Sequence, residues 1–562
     1  MRRKSVPART LPDRSAPPRL TSYEAERASY RPDVPETYNP VIDIVERWAA
    51  EAPDDVALLS LDGSGQVVAE HSAADLAREA QQAARALLQL GVRAGDPVFI
   101  MLPRVPAWYA AMLGVIRIGA VAMPGTNQLT SKDIAYRIRG ADAVAAITDA
   151  VGVAKINTIG DPLPSLQYRV SWQSDPQTDW LDFDQLMHDA ADDQLPAAPT
   201  RKDDPSVLFF TSGTVSHPKM VLHPASYAAG HISTARFWHD LRPGDRHWTV
   251  SDTGWAKAAW GGLFGQFHER ATVVQVALGK PDANTILSII DQADITSFCA
   301  PPTLYRLLVQ ADLSQHDLSS LRHCTSAGEP LNPEVIRAWK EGCGGLTVYD
   351  GYGQSETTVL VANYRSMSVR PGSMGKPVPG WDVDVLDESG HPALADVVGN
   401  IAVRVTEPRP LGLFQEYYRD ADANAQSFRD GWYYTGDKAC RDSDGYFWFE
   451  GRDDDVITSS AYRIGPFEVE SALIEHPAVA EAAVVGKDDP ARTQIVTAFC
   501  VLTAGYRPTQ ELAGELQEHT RTLTAPYKYP REIHFVTELP KTVSGKIRRS
   551  ELRDRLRAGM AE

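Results

Sequence analysis

Apolar and polar positions along this chain follow two periods, and the way those periods interleave predicts an α/β protein. Between Ser72 and Gly91 the apolar positions Leu76, Ala83, Leu87 and Leu88 recur at helical spacing. Ser72-Ala-Ala-Asp75 places a hydroxyl and an acid three residues apart, the pattern of a helix cap, and Gly91 supplies a stop. A second helical stretch, 108–118, lies between short apolar runs at 98–102 and 144–148. Further strand-like runs fall at 207–210, 272–276 and 295–300, separated by helical or glycine-rich segments. Such alternation predicts mostly parallel sheets layered with helices. Runs at 401–405 and 446–450 predict a smaller β-rich subdomain. After a charged interruption at 452–455 the pattern restarts with strands at 480–485 and 495–502 and a helix carrying Leu512, Leu516 and Leu523. The resulting division is a disordered or poorly ordered tail at 1–37, a large domain at 38–453 and a small α+β domain at 454–562.

A length of 562 residues fits this division, because a single hydrophobic core stops growing well before that size. The formal net charge of −17 disfavours a nucleic-acid surface or an anionic membrane as partner, while leaving room for a local cation cluster around an anionic substrate. No apolar run reaches the ~20 residues of a membrane helix. The five cysteines show neither metal-ligand spacing nor a paired framework, which fits a reducing compartment. A cytoplasmic address is the simplest expectation. The Arg-rich first dozen residues contain no acid, so a mitochondrial presequence is the alternative. Oligomeric state is not legible.

Four segments carry candidate chemistry. Residues 208–220 read as a strand entering a loop of Thr211, Ser212, Gly213 and Thr214, closed by Pro218 and Lys219. Hydroxyls, free backbone N–H groups and a cation suit polyphosphate oxygens, although the spacing is not that of a Walker loop. Ser326-Ala-Gly328-Glu329-Pro330 and the run Asp350, Gly351, Tyr352, Gly353, Gln354, Ser355, Glu356 each follow an apolar stretch. Glycines there admit a flat base, Tyr352 offers a stacking face, and Glu356 offers hard oxygens for Mg²⁺. Asp437 in Tyr434-Thr-Gly-Asp437, with Arg452, suits ribose hydroxyls. Finally, Pro540-Lys-Thr-Val-Ser-Gly-Lys546-Ile-Arg-Arg549 puts a lysine after a glycine in a basic loop.

Taken together and in this order, the segments resemble those of the adenylate-forming (acyl-CoA synthetase/luciferase-like) superfamily. The stretches 124–138, 251–261, 462–479 and 525–549 are most similar to its medium-chain acyl-CoA synthetases. The resemblance implies an ATP- and Mg²⁺-dependent acid–CoA ligase that makes an acyl-adenylate and then a thioester with CoA. It implies ATP contacts at Thr211 through Thr214, Lys219, Gly328, Glu329, Pro330, Asp350 through Ser355, Asp437, Arg452 and Lys546. The catalytic set would be Lys546, Glu356 and Lys219, with Glu356 holding the metal and Asp454 acting as the hinge. CoA would meet Ser460, Ala461, Tyr462, Arg492, Arg521, Tyr529 and Arg531. The acyl group would border Trp255, Trp260, Gly328 and Arg463, although the two tryptophans read equally well as core. The chain departs from the family pattern at Val215, Ser216, Ala461 and Thr493-Gln494. These departures keep open two rival readings, an adenylate former with a non-CoA acceptor and an impaired homologue that binds acyl-nucleotides.

Overall fold

The computed structural model describes residues 15–174, 179–190, 195–211, 218–279, 282–452, 455–459, 462–490, 492–525, 527–542 and 546–559. Among them, strands assemble into four sheets of nine, eight, five and five strands. The nine- and eight-stranded sheets are parallel through their centres and antiparallel at edges, as in the pairings Ser326↔Asp350 (parallel) and Gly351↔Ala362 (antiparallel). These two layers form the body of the large domain. A five-stranded antiparallel sheet that includes Trp432–Arg441 and Phe447–Arg452 stands beside them.

The capped helix of the sequence is Ala73–Leu90. Ser72 Oγ accepts from the Asp75 amide at 3.1 Å, the Asp75 carboxylate accepts from the Ser72 amide at 3.1 Å, and Gly91 ends the helix at φ 108°. Leu76, Ala83 and Leu87 are buried, whereas Leu88 is 37% exposed because it lies a further 100° around the helix, outside the apolar stripe. The helix Pro106–Arg117 packs against it so closely that a Cβ on Gly114 would lie 2.5 Å from the Ala83 Cβ. Only glycine fits that crossing. The strand runs of the sequence appear as Pro97–Met101, Ala145–Asp149, Pro205–Phe210, Thr272–Val276, Ser297–Ala300 and Gly399–Arg404.

The described part of the expected tail, residues 15–37, is held against the large domain. Helix Tyr23–Ser29 is capped by Ser22, and Leu20 and Tyr23 are buried. The Tyr23 hydroxyl donates to the Pro377 carbonyl at 2.8 Å, and its ring stacks on Tyr364. The Arg19 amide donates to Asp240 at 2.6 Å and its guanidinium pairs with Glu269 at 2.9 Å. High Arg and Pro content concealed two apolar anchors, and two anchors with ion pairs suffice to order a short segment.

The small domain folds around strands Val479–Asp489 and Thr493–Leu502, with Glu532–Phe535 added in parallel. Helices Pro466–Ile474 and Gln510–Leu523 bury Val469, Leu473, Leu512 and Leu516 against the sheet, while Leu523 is 49% exposed at its helix end. Fully burying a leucine such as Leu516 contributes about 1.5–3 kcal/mol.

Candidate active site

A cavity of about 560 Å³ lies at the carboxyl ends of the central parallel strands and is closed on one side by the small domain. Parallel α/β sheets place ligand clefts there because the connecting loops diverge at that edge. The cavity is lined by Thr211, Lys219, Gly328, Glu329, Pro330, every residue from Asp350 to Glu356, Asp437, Arg452 and Lys546. Segments separated by more than three hundred residues thus meet in one space.

Thr211 and Lys219, which flank the segment expected to bind phosphate, are bonded to each other. The Thr211 amide donates to the Lys219 carbonyl at 3.0 Å, and the Lys219 amide to Thr211 Oγ1 at 3.2 Å. Ser212, Gly213, Thr214, Val215 and Ser216 lie outside the described residues. The Lys219 ammonium sits 4.4 Å above the Tyr417 ring. Gly328 has φ 105° and open space where a Cβ would stand, so a side chain there would be both strained and projected into free volume.

Glu356 is buried, and loss of water pushes its carboxyl above the ordinary range. Tyr417 Oη donates to Glu356 Oε1 at 2.9 Å. Among the described residues no cluster of three acids, histidines or cysteines forms a metal cage. Mg²⁺ does not require one, since it takes one or two carboxylates and completes its shell with phosphate oxygens and water. A single desolvated carboxylate beside the phosphate-loop lysine is therefore a suitable donor set.

Asp437 faces Arg452 across paired strands. Its Oδ2 accepts from Tyr352 Oη and from Gln354 Nε2, both at 2.6 Å, and Tyr433 Oη in turn holds Gln354 Oε1 at 2.9 Å. This leaves Oδ1 as the oxygen for a ligand. Burial raises the Asp437 carboxyl, with Arg452, Tyr352 and Gln354 acting against that shift. Burial likewise pushes Asp350 up to about 8. Beside it Lys257 donates from Nζ to the Ala327 carbonyl at 2.7 Å, and burial lowers its pKa.

From the small domain, Lys546 is exposed at the cavity and close enough to Asp437 and Lys257 to bias both electrostatically. The Thr542 amide donates to its carbonyl at 2.7 Å, and its own amide donates to Thr542 Oγ1 at 3.1 Å, so Thr542 and Lys546 are tied to each other. Arg549 pairs with buried Glu470, both oxygens lying 2.8 Å from Nη2. Asn332 Nδ2 donates to Ser471 Oγ at 3.0 Å, a hydrogen bond between the two domains.

The remaining expected residues do not converge here. Arg492 is exposed, Arg521 pairs with Glu518 at 3.5 Å, and Arg531 stacks on the Tyr529 ring at 4.1 Å; none of these lines the cavity. Ser460, Ala461 and Asp454 lie outside the described residues. Tyr462 and Arg463 are placed in strand Tyr462–Ile464, which pairs with Ile457–Ser459. Trp255 is half-buried at the start of helix Ala256–Gly262, and Trp260 is buried in the main core; neither lines the cavity. Sequence reasoning passed over Tyr417, Tyr433 and Lys257. Lys257 sits among alanines and Tyr433 between two aromatic residues, whereas the polar run around Tyr417 carries no local signal of its role.

A cleft at the carboxyl ends of parallel strands that takes a lysine from a second domain is the arrangement of an adenylate-forming enzyme, and comparison with known proteins agrees. The AMP-binding enzyme family matches residues 45–418, and the AMP-binding enzyme C-terminal domain matches residues 468–546. The chain belongs to the AMP-binding enzymes. It is 40% identical over 548 residues to the acyl-coenzyme A synthetase ACSM3, mitochondrial, of Mus musculus, covering 96% of this chain and 94% of that protein. It is 42% identical over 529 residues to the acyl-coenzyme A synthetase ACSM5, mitochondrial, of Homo sapiens, covering 92% and 91%. Among solved structures, the anthranilate CoA ligase AuaEII in complex with anthranoyl-AMP is similar with a TM-score of 0.86 at 32% identity, covering 94% of this chain and 99% of that one. A benzoate CoA ligase from Burkholderia xenovorans LB400 follows with a TM-score of 0.80 at 27% identity, covering 92% and 100%.

Proposed function

We propose that this protein is an AMP-forming acid–CoA ligase acting on a medium-chain or aromatic carboxylic acid. The observation that carries the reading is the single cavity shared by Lys219, Glu356, Asp437 and Lys546. In the first half-reaction a carboxylate oxygen attacks the α-phosphorus of ATP, a P–O bond forms, and pyrophosphate leaves. Two anions must approach for this, and the Lys546 ammonium offsets their repulsion at the transition state. Asp437 accepts the ribose through Oδ1, and Ser355 meets the α-phosphate. Mg²⁺ bound at Glu356 would neutralise phosphate charge. In the second half-reaction the CoA thiol attacks the acyl carbon, and AMP leaves as the C–O bond breaks. Arg492, Arg521 and Arg531 supply cations suited to the phosphates of CoA. They stand away from the cavity that Lys546 closes, which supports a change of small-domain position between the steps, pivoting at Asp454.

The substrate class is supported by relatives that act on acyl, anthranilate and benzoate groups. The mitochondrial designation of the mammalian relatives favours a matrix address over the cytoplasmic one, and fractionation of the tagged full chain distinguishes them. The functional test is pyrophosphate release with a panel of aliphatic and aromatic acids, with and without CoA, comparing wild type with Ala461→Gly. Stoichiometric AMP and acyl-CoA are expected. Adenylate formation that CoA does not discharge in wild type would transfer the assignment to an enzyme with another acceptor.

A further inference from the structure

The strand Met220–Pro224 returns from the phosphate loop and carries a histidine that none of the motifs uses. His223 is completely buried, its ring 3.8 Å from that of Tyr227 and 5.8 Å from that of Phe209. Its Nε2 lies 2.7 Å from the carbonyl oxygen of Ser355. A carbonyl can only accept, so Nε2 carries the proton and the ring is the neutral Nε2–H tautomer. Nδ1 meets no partner among the described residues.

The same strand pairs on its other side with Glu416–Tyr417, through Val221↔Tyr417 and Leu222↔Glu416. From that neighbour Tyr417 reaches the Glu356 carboxylate. One two-stranded edge, starting at the phosphate-loop lysine, therefore grips the Ser355–Glu356 dipeptide twice, once by its backbone and once by its side chain. The tyrosine bond alone leaves the peptide free to turn, because a glutamate side chain has three rotatable bonds between carboxylate and backbone. Fixing the carbonyl removes that freedom.

We propose that His223 is a positioning residue that holds Ser355 and Glu356 in register with the phosphate loop, without touching substrate. The inference rests on the ligase reading above, and its test separates the two. Glutamine carries its amide nitrogen as many bonds from the backbone as Nε2 of histidine, so His223→Gln can still donate to Ser355, whereas His223→Leu cannot. The readouts are acid-dependent ATP–pyrophosphate exchange as a function of Mg²⁺, and the rise in melting temperature caused by MgATP. Loss of such an outer hydrogen bond lowers exchange by about 10- to 100-fold. His223→Leu is expected to show that loss, a higher half-saturating Mg²⁺ and a smaller MgATP shift, and His223→Gln to recover most of each. Wild-type exchange and Mg²⁺ dependence in His223→Leu, or equal impairment of both variants, would overturn the proposal. If His223→Leu fails to fold, His223→Asn replaces it, its amide standing at the level of Nδ1 and out of reach of Ser355. Equal activity of the Asn and Gln variants then overturns it. Absence of exchange in wild type with every acid defeats the ligase reading instead.

Discussion

Asp437→Asn removes a charge from the nucleotide cleft while leaving its shape intact. Oδ2 of Asp437 is engaged by Tyr352 and Gln354 at 2.6 Å each, so an asparagine turns its carbonyl oxygen toward those donors and its NH₂ toward the cavity. The ribose then loses a charged acceptor at Oδ1, worth about 1.5–3 kcal/mol, and KM for ATP rises about 10- to 150-fold. The maximal rate stays within about threefold, because the lost contact is made equally in ground and transition states. Stability moves differently. Burial raises the Asp437 carboxyl above its ordinary range, so keeping it ionised costs stability, and its contribution is least at high pH. Asparagine carries no such cost, and the partner Arg452 is exposed. The variant therefore melts no lower than wild type at about pH 8, and any difference narrows as pH falls toward the ordinary carboxylate range. The assays are ATP dependence of pyrophosphate release and thermal unfolding across pH. A KM within threefold of wild type, or a melting temperature that falls in proportion to the binding loss, would refute the reasoning.

Lys546→Ala should slow adenylation by about 10²–10³, leave melting unchanged because the side chain is exposed, and spare conversion of preformed adenylate to thioester; single-turnover assays of each half-reaction decide this. Ser471→Ala deletes the bond from Asn332 across the domains, worth about 1 kcal/mol, and should shift the small domain about fivefold away from the arrangement that presents Lys546. Slower adenylation with unimpaired thioester formation is the expected signature, and equal slowing of both steps counts against a latch. Thr493 adopts φ 68° at the turn between two long strands, a conformation unfavourable for a β-branched residue. Thr493→Gly relieves about 1–2 kcal/mol of strain against about 0.5–1 of added entropy, so calorimetry should show the small-domain transition rising by a few degrees; a fall contradicts it.

Much of the fold was legible because local rules and tertiary packing agree in it. Ser72, Asp75 and Gly91 fixed both ends of one helix before any packing was known. What failed was side-chain detail at helix edges, where Leu88 and Leu523 match the apolar alphabet but not the apolar face. In the site, glycines and acids in short motifs were readable because their chemistry is local. Tyr417, Tyr433 and His223 were not, because each acts on a residue more than sixty positions away, beyond the reach of any local pattern. Lys257 was hidden for another reason. A lysine between alanines reads as a solvated helix face until the strand ends around Ala327 are in view.

The N-terminal segment bears on how this protein should be handled at the bench. The family match begins at residue 45, which invites recombinant versions trimmed to that point. Such a version would lack Arg19 beside Asp240 and Glu269, and Tyr23 over Tyr364. Asp240 also holds the fully buried Arg322, so the cut would open a charged cluster to water on the face away from the cleft. Poor yield or aggregation of a trimmed protein would then reflect a missing brace and would say nothing about the catalytic residues.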